Sequence, residues 1–138
     1  MVGELCSALQ REGRLKDLLP FYNAAMNQEY MSSSATPQGW ALPHARVKEL
    51  AGVCFALGRS DAPLEWLGPA RLRVRMVFLF AVPETDAKTY LALISGLARL
   101  AQDEARMEGL VNASDGDAML EILAQVPLRQ AYSSAAGV

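Results

Sequence analysis

Histidine is almost missing from this chain of 138 residues: there is one, His44, and only two cysteines, Cys6 and Cys54, could join it around a transition metal. Such a site needs three or four ligands at suitable spacing, so only scattered carboxylates remain to complete one, and metal binding has no support. Two cysteines make no disulfide framework, and both read as free, buried thiols of a reducing cytosol. Long apolar runs are missing too. The longest, residues 76–82 (MVFLFAV), falls far short of the ~20 residues that span a bilayer, and Pro83 ends it. The opening MVGELCSALQREGR lacks the basic segment and apolar core of a signal peptide, so a cytoplasmic protein is expected. Nor is there an excess of positive charge. Thirteen Lys and Arg face fifteen Asp and Glu, a formal net charge of −2, so no global positive field draws a nucleic-acid backbone. The glycines form neither G-x-G-x-x-G nor a Walker loop, which leaves nucleotide binding without a motif.

What is present is enough for one folded domain. The composition is 51% hydrophobic and 20% charged, and a chain of this length buries most of its apolar surface in one core, so a single domain over 1–138 is expected. Across residues 2–28 the apolar positions Leu5, Ala8, Leu9, Leu15, Leu18, Leu19, Tyr22 and Met26 recur at three and four residues, the helical period. Two helices are predicted, with Gly13 between them and Pro20 starting or kinking the second. Residues 32–39, SSSATPQG, form a loop. Residues 51–57 and 71–82 read as strands, the second losing its polar alternation part-way and so expected at the centre of its sheet. A brief edge strand is expected at 64–67, before a turn at Gly68 and Pro69. Beyond Pro83, Thr85 or Asp86 can cap a helix whose apolar face is Tyr90, Leu93, Ile94, Leu97, Leu100 and Ala101. Shorter helices follow at 104–111 and 117–124, the latter opened by the cap-like SDGD, and 127–138 reads as a frayed tail. Helices around a few strands make a layered α/β or α+β domain.

Two weaker patterns have bland readings. Arg71, Arg73 and Arg75 alternate with apolar residues and describe a solvated strand face more simply than an anion site. Ser32, Ser33 and Ser34 precede the histidine, but no G-x-S-x-G elbow or orienting carboxylate accompanies them, so a serine hydrolase is set aside. His44 itself stands in GWALPHARVKEL. A lone histidine is often a surface or satisfied core residue, but Pro43 fixes its own φ and biases Leu42 toward extended geometry, which puts the imidazole at a stiffened point. A neutral imidazole has a lone pair that can attack phosphorus.

At G-x-A-L-P-H-A-R the sequence resembles the EIIA domain of the bacterial phosphotransferase system, in the fructose, mannitol and nitrogen-regulatory group. The likeness extends through the Ser-rich loop, VFLFAVP at 77–83 and the helix after Asp86, from about residue 5 to 126. It implies an α/β layered sandwich, a mixed sheet of four or five strands flanked by helices on both faces. It also implies that His44 accepts a phosphoryl group from an HPr-type carrier and passes it to an EIIB domain or holds it as a signal for a regulated target protein. No cofactor is implied. The family's Arg-Glu pair, sixteen and fifteen residues before its histidine, is Gln28 and Glu29 here, so the resemblance gives Glu29 a supporting place and leaves Arg46 to supply charge. Its Ser-Thr pair is Ser33 and Ser34, expected to donate to the phosphoryl oxygens. Tyr90 stands where the family has a second, supporting histidine; a phenol can donate a hydrogen bond but carries no positive charge. Two functions follow: a phosphoryl carrier, or an EIIA-fold regulatory module that binds a partner protein without phosphotransfer.

Overall fold

The computed structural model describes residues 1–68 and 70–125; the expected frayed tail, 127–138, lies outside them. Among the described residues, five helices and four strands fall in two compact units that divide after Asp86.

The first unit holds α1 (Val2–Arg11), α2 (Leu18–Met31), β1 (Trp40–Ala41), β2 (His44–Val47), β3 (Cys54–Glu65) and β4 (Arg73–Pro83). The helices break where the sequence predicts, at Gly13, whose φ of +72° lies in the left-handed region that glycine enters without steric cost. Pro20 is tolerated in α2 because it sits in the first turn, where its missing N–H has no carbonyl to meet.

β4 is central, as expected from its loss of polar alternation. It pairs in parallel with β1 and β2 and antiparallel with β3, so the sheet is mixed. The registers Trp40↔Met76 and His44↔Phe80 share one offset, which makes β1 and β2 a single edge strand interrupted at Leu42 and Pro43. The interruption has a simple cause. Proline has no N–H for the ladder, although its carbonyl still accepts from Phe80 N at 2.9 Å.

β3 differs from the prediction. The expected strands at 51–57 and 64–67 are one, which starts at Cys54 and shifts register between Arg59 and Leu64. The residues between look like a loop in sequence but are held as a bulge. Arg75 Nε and Nη2 donate to the carbonyls of Ser60 (3.3 Å) and Asp61 (3.1 Å), so this arginine is structural and half-buried while Arg71 and Arg73 are exposed. Arg71 lies outside the strand, with φ +48° in the β3–β4 turn.

Side-chain alternation sorts the sheet into two faces. Ala41, Ala45, Val77, Leu79 and Ala81 join Leu5, Cys6, Leu9, Phe21 and Ala25 in one core, which docks α1 and α2 on that face. Trp40, Met76, Phe78 and Phe80 are buried on the opposite face, with Trp40 and Phe78 rings 4.9 Å apart and Phe55 and Phe80 rings 5.8 Å apart.

The second unit contains α3 (Ala87–Leu100), α4 (Glu104–Asn112) and α5 (Gly116–Ala124). Its two short helices open on side-chain caps: Asp103 accepts from Arg106 N at 3.1 Å, and Asp115, within the predicted SDGD signal, accepts from Ala118 N at 2.9 Å. Among the described residues no helix is long and apolar enough to cross a membrane.

Candidate functional site

His44 is the first residue of β2 and is half-buried. Because Ala45 and Val47 pack into the α1–α2 core, alternation turns His44 and Arg46 to the other face, the one that carries Phe80. The imidazole Nδ1 lies 3.5 Å from the Leu42 carbonyl, a long contact. In the tautomer that carries its proton on Nδ1 this contact is a donated bond, and the lone pair of the neutral ring is then the one on Nε2.

The segment leading into the histidine is fastened from beneath. Glu29, on the last turns of α2, is only 2% exposed and is the one buried charged residue among those described. Its carboxyl group accepts from Ser34 N at 2.8 Å, from the Ser34 hydroxyl in a short bond, and from Trp66 Nε1 at 3.4 Å. The Ser34 oxygen in turn accepts from Leu42 N at 2.7 Å. A continuous chain of bonds thus runs from the α2 helix through the serine loop to the residue before Pro43. No buried side-chain nitrogen or oxygen among the described residues lacks a partner, so this polar cluster is fully satisfied.

These contacts decide what each serine can do. A hydroxyl has one hydrogen, and Ser34 gives its own to Glu29, so the residue that the family resemblance assigns to the phosphoryl oxygens holds the backbone of Leu42 here. Ser33 is exposed, and its oxygen accepts from Ala35 N at 3.2 Å, which leaves its hydrogen for donation. The rest of the loop is stiff: Thr36 N donates to the Trp40 carbonyl at 2.8 Å, and the Gly39 carbonyl accepts from Arg75 N at 2.9 Å. Gly39 needs its glycine, with φ at +90°.

Glu29, Ser33, Ser34, His44 and Arg46 all belong to the first unit, and Arg46 is exposed two residues beyond the imidazole on its face of β2. Tyr90 is half-buried on α3, in the second unit. Trp66 was not foreseen. Nothing in the sequence signals that its indole N–H, 37 positions from Glu29, closes the polar cluster. Among the described residues no three His, Cys, Asp or Glu converge to hold a metal ion.

Residues 2–126 match the model of the phosphoenolpyruvate-dependent sugar phosphotransferase system EIIA 2 family. The chain belongs to that family. The EIIA match covers nearly all of the sequence, and the relatives include phosphotransferase-system components, a nitrogen regulatory protein and a transcriptional regulator. Over 125 residues the chain is 28% identical to the fructose-specific EIIABC component of Bacillus subtilis, covering 91% of itself but only 20% of that protein. It therefore spans about a fifth of that relative's length. Among solved structures, nitrogen regulatory protein IIA-Ntr of Neisseria meningitidis superposes with a TM-score of 0.78 at 24% identity, over 88% of this chain and 83% of the other. Enzyme IIA-Mtl in its complex with phosphorylated enzyme IIB-Mtl of Escherichia coli gives a TM-score of 0.65 at 17% identity, over 89% and 84%. These likenesses establish the α/β fold with its mixed sheet.

Proposed function

We propose that this EIIA-family chain is a cytoplasmic phosphoryl carrier in which His44 Nε2 is the acceptor and an HPr-type phosphocarrier the donor. In the step, the Nε2 lone pair forms a new N–P bond as the donor's own N–P bond breaks, and the leaving electron pair returns to the donor ring nitrogen. No oxidant, reductant or cofactor enters. The transferring group is planar and spreads negative charge over its oxygens, so catalysis is a matter of placed donors and positive charge. Ser33 is the hydroxyl donor and Arg46 the nearby cation, while Glu29 and Ser34 hold the backbone that aims the ring. The observation that carries this reading is the bonded chain from Glu29 through Ser34 to Leu42, which immobilises the residue before Pro43-His44. Onward transfer to an EIIB domain is supported by the IIA-Mtl complex with phosphorylated IIB-Mtl. The test is phosphorus NMR on nitrogen-15-labelled protein charged through Enzyme I and an HPr-type carrier. Coupling of phosphorus to Nε2 is expected; phosphorus on Nδ1, or on another residue, would overturn the assignment.

A second reading has its own observation. Apart from the buried Glu29, α2 carries no charged side chain, and its exposed residues include Gln28, Tyr30 and Met31 beside the serine loop. A neutral, partly apolar surface suits a protein partner, and the exchange of the family's arginine for Gln28 removes charge from the site. In that case the chain is a regulatory binding module and His44→Glu, which mimics the charge of a phosphoryl group, leaves partner affinity unchanged.

A further inference from the structure

Away from His44, the first unit has a concave cleft of about 640 Å³ between two loops, residues 13–17, which join α1 to α2, and residues 46–52, which leave β2. Its charge is opposite to that of the whole chain. Arg14, Lys16 and Lys48 line it against Asp17 and Glu49, while Arg46 borders it from β2 with its side chain turned to the His44 face; the protein as a whole has a formal net charge of −2. The Lys16 ammonium and Glu49 carboxylate meet at 3.5 Å and join the two loops; both are more than 80% exposed, so the pair is readily opened by a competing anion. Glu49 has φ +60°, a left-handed geometry uncommon outside glycine, and this sharp turn carries Lys48 and Glu49 to the cleft wall. The mouth also receives the start of α2. The opposite wall is apolar, with Pro20, Phe21 and Leu50.

We infer that this cleft is a second site, distinct from His44, for a small organic phosphate with an apolar or ring-bearing body. Cations on two separate segments, Arg14 and Lys16 before α2 and Lys48 after β2, suit a dianionic phosphate better than a single carboxylate, and guanidinium and ammonium groups are its usual partners. The apolar wall gives the remainder of the ligand a surface to cover. Arg46 belongs both to this cleft and to the strand that begins at His44, so an occupant of the cleft sits against the strand that carries the histidine.

The test uses the full chain and follows backbone amide resonances during titration with ADP, pyrophosphate and adenosine. Saturable shifts at residues 13–17 and 46–52 are expected below about 1 mM ADP, with pyrophosphate and adenosine each binding about tenfold or more weakly. The double substitution Arg14→Gln, Lys48→Gln touches only exposed side chains and is expected to weaken ADP about tenfold. Arg11→Gln removes an exposed cation outside the cleft and leaves the affinity unchanged. Absence of saturable shifts at about 1 mM ADP would overturn the site, as would an equal loss with Arg11→Gln, which marks non-specific attraction. Pyrophosphate binding as tightly as ADP would overturn the role given to the apolar wall.

Discussion

Ser34 has one hydroxyl hydrogen and two lone pairs, and the direction of its bonds assigns its work. It donates to Glu29 and accepts from Leu42 N, so it transmits the rigidity of α2 to the backbone ahead of Pro43. Glu29→Ala removes the acceptor of three donors, Ser34 N, Ser34 Oγ and Trp66 Nε1, inside a nearly closed cluster. Leaving buried donors unsatisfied costs about 1–3 kcal/mol each where they cannot reach water. A loss near ~3 kcal/mol is expected, seen as a fall of roughly 6–12 °C in melting temperature, with a change in Trp66 fluorescence as its indole loses its partner. Glu29→Gln is the finer test. An amide can donate to Ser34 Oγ and release the serine hydrogen, so the fold should survive while phosphorylation of His44 slows. At this scale the sequence was half legible. The resemblance to the EIIA family marked Glu29, Ser33 and Ser34 as companions of His44, but which way a hydroxyl points depends on neighbours that only the fold supplies, and Trp66 arrives from the far end of β3 without any local signature.

Among the elements, the helices were written in apolar period and punctuation: Gly13 between α1 and α2, and the Asp115 cap of α5 inside SDGD. The strands were less so. β1 is two residues long, too short for any pattern, and it exists because β4 offers a partner in register. β3 runs through Ser60, Asp61, Ala62 and Pro63, which read as loop formers, because Arg75 and the pairing on either side of the bulge outweigh local preference. The docking of α1 on β3 depends on a missing side chain. A Cβ at Gly58 would lie 3.0 Å from Met1 Sδ and 3.2 Å from a Leu5 methyl, so Gly58→Val forces the Met1 and Leu5 side chains to shift where α1 packs on β3. The expected cost is about 1–3 kcal/mol by chemical denaturation, with faster hydrogen exchange confined to α1; an unchanged midpoint would refute the packing.

At the scale of the whole molecule two thiols sit in the fold, Cys6 buried and Cys54 half-buried. Burial pushes both thiols above their usual 9.0, with Arg14 partly offsetting the effect at Cys54. A raised value in the folded state means that the folded protein keeps its thiol protons while the unfolded chain loses them near pH 9.0, so this contribution is intact below that pH and declines above it. Melting temperatures should therefore fall more steeply above pH 9.0 in the wild type than in Cys6→Ala, and run parallel below it. The fold positions one imidazole at a proline-braced strand edge, and the account rests on that imidazole being the acceptor. Intact-protein mass after incubation with phosphoenolpyruvate, Enzyme I and an HPr-type carrier tests this most directly. An acid-labile gain of one phosphoryl group in the wild type, absent in His44→Ala, is the result predicted. A gain that persists in His44→Ala, or none in the wild type with several donors, would contradict it.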